Sequence, residues 1–120
     1  MMDGDRFIEV VLWILSLVLA IVFFYNGVGK IAGLPIQVAQ FEALGLSRTL
    51  LYVVGGLECV AGLMLTMPRF AVYGGLILGL IMLASAVLHM VHDNIFPMFR
   101  ALIISLMLAG ICYLRFKRRL

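Results

Sequence analysis

Apolar residues run in four long blocks along this chain, and the polar positions gather in the gaps between them. Val10 to Gly29 holds 20 residues without a charge, bounded by Glu9 and Lys30. At about 1.5 Å per helical residue this stretch matches a hydrocarbon core of roughly 30 Å, so the pattern predicts a spanning helix over about 7–29. Thr49 to Pro68 is a second block of 20, interrupted only by Glu58. Proline cannot continue the helical hydrogen-bond ladder, so Pro68-Arg69 ends a second span over about 48–67. Phe70 to Leu88 is free of charge and predicts a third span over about 69–92, closed by a turn at Asp93-Asn94. Pro97 opens the fourth, over about 97–116, which crosses the full thickness if Arg100 snorkels outward or faces the bundle interior. Between the first two blocks, Gly33-Leu34-Pro35 breaks the chain, and Ile36 to Leu46 reads as a short, weakly amphipathic helix at the interface, over 36–46.

Composition turns these helices into a membrane assignment. The 120 residues are 65% hydrophobic and 12% charged, with a mean hydropathy of +1.19. A soluble protein this small has a large surface relative to its volume and must cover much of it with polar groups; this chain does not have them. The expectation is an all-α integral membrane four-helix bundle, one domain over 1–120. A secreted disulfide scaffold, a disordered tail and a soluble enzyme are excluded. The opening Met1-Met2-Asp3-Gly4-Asp5-Arg6 is as acidic as it is basic and leads to no small-x-small cleavage site, so the N-terminus is expected to stay on the protein.

Charge sets the expected orientation. Arg6, Arg69, Arg115, Lys117, Arg118 and Arg119 fall on one side, against Lys30, Arg48 and Arg100 on the other. Cytoplasmic loops carry the excess of Lys and Arg, so both termini are expected in the cytoplasm, across the inner membrane if the cell is bacterial. The basic tail Leu114 to Leu120 reads as a topology signal that also touches anionic lipid, and no nucleic-acid role is expected.

In lipid, helices associate through close backbone approach and polar contacts, which makes the glycines informative. Gly75 and Gly79 form a small-xxx-small pair on the third span. On the second, Gly55, Glu58 and Gly62 at i, i+3 and i+7 share a face, so the carboxylate turns toward other helices.

Glu58 is the leading candidate for chemistry. An unpaired carboxylate in mid-span costs at least a few kcal/mol, so it is paired, protonated or facing a wet cavity. It is either an interhelical polar clamp or a ligand or proton site. Lys30 closes the first span with Asn26 one turn earlier on the same face, and competes with Arg100 for Glu58. Glu58 lies about ten residues into its helix, roughly 15 Å deep, so a direct pair with Lys30 calls for an inward tilt or a break near Gly27 and Gly29. His89 and His92 at i and i+3 near the outer end of the third span are either an interfacial pair or part of a ligand or proton path. A di-iron bundle would need further Glu residues and Glu-x-x-His motifs, and no metal site is expected. Cys59 and Cys112 are isolated on different spans and make no redox pair.

These residues carry a resemblance. Phe24-Tyr25-Asn26-Gly27-Val28-Gly29-Lys30, then Phe41-Glu42-Ala43-Leu44-Gly45-Leu46, then Gly55-Gly56-Leu57-Glu58-Cys59-Val60-Ala61-Gly62-Leu63, then Pro68-Arg69 and Met82-Leu83-Ala84 together resemble the DoxX-like membrane proteins over nearly the whole chain. The resemblance implies a four-helix membrane fold and brings Lys30 and Glu58 forward as matches to the family's polar pattern. Some relatives look like membrane subunits of quinone-linked oxidoreductases, others belong to oxidative-stress complexes, and distant eukaryotic relatives resemble receptor chaperones and cargo receptors.

Two functions follow as expectations. In the first, Glu58, Lys30, Asn26, His89 and Arg100 surround a polar pocket that binds a quinone or another lipid ligand. The chain has no intrinsic cofactor in this reading and serves as the partner subunit of a membrane oxidoreductase. In the second, a non-catalytic assembly factor or chaperone acts through helix-helix contacts. Either function places the chain in the bilayer with a protein partner or a second copy of itself.

Overall fold

The computed structural model describes residues 4–119, and for Asp5, Arg118 and Arg119 the backbone alone. Met1 to Asp3, Leu120 and the side chains of Arg118 and Arg119, which entered the charge count above, lie outside the described residues. Five helices follow one another: α1 (Gly4–Ala32), α2 (Pro35–Ala43), α3 (Arg48–Leu65), α4 (Ala71–Val91) and α5 (Ile95–Arg119). No strand occurs among the described residues. All except α2 are long and apolar enough to span a membrane.

Local chemistry fixes the breaks. α1 runs past Lys30 and ends at Gly33, whose φ of 70° puts it in the left-handed region open to glycine. There Leu34 N–H donates to the Gly29 carbonyl (3.0 Å) and Gly33 N–H to the Lys30 carbonyl (3.1 Å), the paired bonds of a Schellman cap. Gly45 (φ 74°) closes α2 with the same pair of bonds, earlier than the 46 expected. Asp93 closes α4 in the same way at φ 57°, a conformation that its short polar side chain tolerates. Ser47 caps α3 by accepting from Leu50 N–H (3.2 Å). α5 starts two residues before Pro97, because a proline in the first turn removes only an N–H that has no helical partner.

α1 packs on α3, α3 on α4 and α4 on α5, while α1 and α5 scarcely approach along their backbones. Leu12, Leu19 and Phe23 of α1 meet Leu65, Leu78 and Leu108 of the other spans in one buried core. The outer faces are apolar, with Leu106 73%, Leu80 69% and Phe96 86% exposed, which places lipid rather than water around the bundle. This is an integral membrane protein.

Backbone contact decides the spacing of α1 and α3. A Cβ added to Gly27 would lie 2.6 Å from the Gly55 carbonyl oxygen, and one added to Gly55 would lie 2.9 Å from that of Gly27. Gly62 faces α1 one helical stretch lower, with the Ala20 carbonyl 3.3 Å from its would-be Cβ. The α4 contacts differ from the expected Gly75/Gly79 pair. Gly74 meets the Ala61 carbonyl (2.7 Å) and Gly75 meets the Cys112 thiol, whereas Gly79 has nothing within 4 Å. Adjacent glycines serve two neighbours here, because successive residues point about 100° apart and α4 lies between α3 and α5.

Candidate functional site

Lys30 and Glu58 form a direct ion pair, with the ammonium Nζ 3.2 Å from each carboxylate oxygen. Both are buried: Glu58 is 2% exposed and Lys30 is 9% exposed. The pair forms with α1 unbroken, so of the tilt or break expected near Gly27 and Gly29 no break occurs. The depth gap closes by another route. The Gly27–Gly55 contact sets Lys30 level with Gly55, since a Cβ on Gly55 would lie 2.8 Å from Lys30 Cβ. Glu58 is then three residues deeper, about 4.5 Å, and a lysine stem covers that distance. The first turns of α3 project beyond α1 and meet α2 at a few positions, with Leu51 buried among them.

The ion pair lies on the wall of a cavity of about 620 Å³, not in solid core. All five residues singled out from the sequence border this cavity: Glu58, Lys30, Asn26, His89 and Arg100. α2 adds groups that the sequence did not single out, namely Gln37, Gln40 and Phe41. Gln37 donates through Nε2 to Asn26 Oδ1 (3.4 Å), and its buried Oε1 has no hydrogen-bond partner. The Lys30 ammonium also sits 6.0 Å from the centre of the Phe41 ring. The short helix expected merely to float at the interface therefore roofs the cavity. Its signal was Gln37, Gln40 and Phe41 at i, i+3 and i+4, one face of a helix.

On the opposite wall stand Ser85 and His89 of α4 and the exposed Arg100 of α5. His89 Nδ1 is 3.4 Å from Asn94 Nδ2. His92 turns away and bonds the Leu88 carbonyl of its own helix through Nδ1 (2.8 Å), so the two histidines do not act as a pair. Among the described residues no three His, Cys, Asp or Glu side chains converge as a metal site would require. Arg100 does not reach Glu58: the carboxylate pairs with Lys30, and no acceptor pairs with Arg100 among the described residues. Cys59, one residue on from Glu58, turns to α1 and lies 3.8 Å from the Phe24 carbonyl.

A second polar cluster went unrecognised in the sequence. Arg115, assigned above to the basic tail, is 8% exposed, donates to Ser16 Oγ (3.3 Å) and stacks 4.3 Å over the Trp13 ring. Glu9 is near enough to act on it electrostatically. Arg115 follows Leu108 and Ile111 at helical spacing and so shares their inward face. Trp13 and Ser16 lie three apart on the face of α1 that meets it. This contact joins the start of α1 to the end of α5 and puts both at one end of the bundle.

The fold and site define a class: a lipid-embedded helical bundle that keeps a buried ion pair on the wall of a cavity open between its helices. A model of the DoxX-like family matches residues 14–112, and the chain belongs to that family. No curated protein and no solved structure matches the chain.

Proposed function

We propose that this protein is the membrane-embedded, quinone-binding subunit of an oxidoreductase system and takes the ligand's headgroup into the cavity beside Glu58. The observation that carries this reading is the placement of a buried charged pair on the wall of a largely apolar cavity. A bundle that needed Lys30 and Glu58 only as a clamp would enclose them in packed side chains. Here Lys30 retains a third N–H beyond the two directed at Glu58, and a headgroup carbonyl accepts such a donor. Asn26 and Gln40 add amide donors. When bound, the quinone supplies the two-electron chemistry. The chain's own residues bind and orient its head, with the Glu58 carboxylate holding the Lys30 ammonium in place as the donor. A partner protein supplies the electrons. The termini face the cytoplasm in this reading, since Arg6, Arg69 and Lys117 share the end of the bundle where the chain begins and finishes.

The test is saturable binding of a benzoquinone carrying a tetraprenyl tail to protein in nanodiscs. Glu58→Gln keeps the shape but removes the charge that holds Lys30, and affinity falls about tenfold, equivalent to about 1.4 kcal/mol. Equal affinity of the variant and the wild type would remove the proposal.

A second reading, an assembly factor acting on a client membrane protein, is favoured by Gly79. Its open surface offers a partner helix close approach from outside the bundle. In this reading Gly79→Leu abolishes recovery of the client in a pull-down while quinone affinity is unchanged.

A further inference from the structure

The cavity has a companion on the same seam. A wholly apolar groove of about 260 Å³ lies between α1 and α5 nearer the inner end, bordered by Val11 and Leu15 on one side and Met107, Gly110 and Ile111 on the other. The upper cavity borders the same two helices, at Val22 and Asn26 of α1 and at Ala101 and Ile104 of α5. Residues 11, 15, 22 and 26 of α1 repeat at helical spacing, so cavity and groove share one stripe of that helix. On α5, Ile104 and Met107 are one turn, about 4.5 Å, apart. On α1 the corresponding step, from Val22 to Leu15, is seven residues, about 10 Å, which a tail lying along the stripe would bridge.

This seam differs from the other three contacts between spans. Elsewhere the spans approach closely at glycines, backbone to backbone through Gly27, Gly55 and Gly74 and through Gly75 against the Cys112 thiol, whereas α1 and α5 are joined by side chains, most firmly by Arg115 on Ser16 at the inner end. A seam closed by side chains opens by rotamer changes, without moving a helix. Such an opening would give a lipid tail a path along the seam.

We infer that the ligand is a single-tailed amphiphile that passes between α1 and α5, with its head in the cavity and its tail lying down the seam to the lower groove. This inference rests on the headgroup reading above and adds the class of the tail and its route. From Asn26 to Leu15 is eleven residues, about 16 Å, close to half of the roughly 30 Å hydrocarbon core. Asn26 already lies a few residues below the outer end of the span, so a tail anchored there passes the bilayer midplane and enters the groove at Leu15 in the inner half. The groove presents nothing polar, so it suits the tail and no part of the head.

Gly110 gives the test. It is exposed, borders the groove and a Cβ there meets nothing within 4 Å, so Gly110→Phe sets a bulky side chain at the groove with no backbone clash. Two probes are titrated into nanodiscs: a benzoquinone with a tetraprenyl tail, and the same head bearing a methyl group instead. The wild type binds the tailed probe at least tenfold more tightly. Gly110→Phe erases that advantage and leaves the methyl probe unchanged, Glu58→Gln weakens both, and Gly79→Phe, an equally open glycine away from the seam, alters neither. If Gly110→Phe leaves the tailed probe at wild-type affinity while Glu58→Gln weakens it, the seam is wrong and the headgroup site stands. If the wild type binds neither probe, both readings fall.

Discussion

Replacing Lys30 by Met removes the cation and keeps the length of the stem, leaving the Glu58 carboxylate 2% exposed with no opposite charge beside it. Breaking a buried ion pair from one side costs about 3–5 kcal/mol, a shift of about a hundredfold or more in the folded population. The reverse change costs less for a structural reason. Lys30 lies two residues from the end of α1, so in Glu58→Leu its ammonium swings out to the interface, whereas Glu58 sits ten residues into α3 and has no such escape. Glu58→Leu should cost about 1–2 kcal/mol, the lost pairing less the gain from an apolar side chain. The double variant Lys30→Met with Glu58→Leu should recover to within about 1–2 kcal/mol of the wild type, for a coupling energy of at least about 2 kcal/mol. Reversible unfolding in mixed micelles reads this out through Trp13, the single tryptophan. A coupling energy below about 0.5 kcal/mol, or a larger loss in Glu58→Leu than in Lys30→Met, would refute the geometry.

Other outcomes follow from the same contacts. Gly27→Ala drives a methyl into the Gly55 carbonyl and should cost about 1–3 kcal/mol, while Gly79→Ala stays within about 0.5 kcal/mol; both are read by thermal unfolding in detergent. Arg115→Met loses the Ser16 bond and the Trp13 stacking, about 2–3 kcal/mol together, and shifts Trp13 emission, whereas Arg69→Gln on the exposed α3–α4 connection changes neither. For topology, a membrane-impermeant maleimide applied to intact cells should label His92→Cys, exposed at the α4–α5 turn, and spare Arg69→Cys until the cells are opened. The reverse pattern would invert the orientation.

The spans were legible because lipid demands one simple property, a long uncharged run, and the sequence displays four of them. The face bearing Gly55, Glu58 and Gly62 was equally legible, since helical spacing alone assigns it. The partner of Glu58 was harder to place. Depth counted from the ends of the hydrophobic blocks put Lys30 some 15 Å away, whereas the true register comes from a glycine-to-glycine contact that no periodicity reports. The role of α2 was missed because nine residues of weak amphipathicity look the same whether they lie on lipid or roof a cavity. Arg115 was misread because a cluster of basic residues at a chain end resembles a topology signal, and only its phase relative to Leu108 and Ile111 shows that it points inward. Gly79 was misjudged for the complementary reason: small-xxx-small spacing identifies a face fit for close approach but not whether this chain or another occupies it.

The central claim is that the Lys30–Glu58 wall receives the head of a lipid-soluble ligand, and photolabelling addresses it most directly. A benzoquinone with a tetraprenyl tail and a photoactivatable group on its ring is irradiated with the protein in nanodiscs, and the modified residues are mapped by mass spectrometry. Labels confined to Asn26–Lys30 and Gln37–Phe41, and displaced by an excess of the unmodified quinone, are the predicted result. Labels spread over the lipid-facing residues around Leu80 and Leu106, undiminished by competitor, would contradict it.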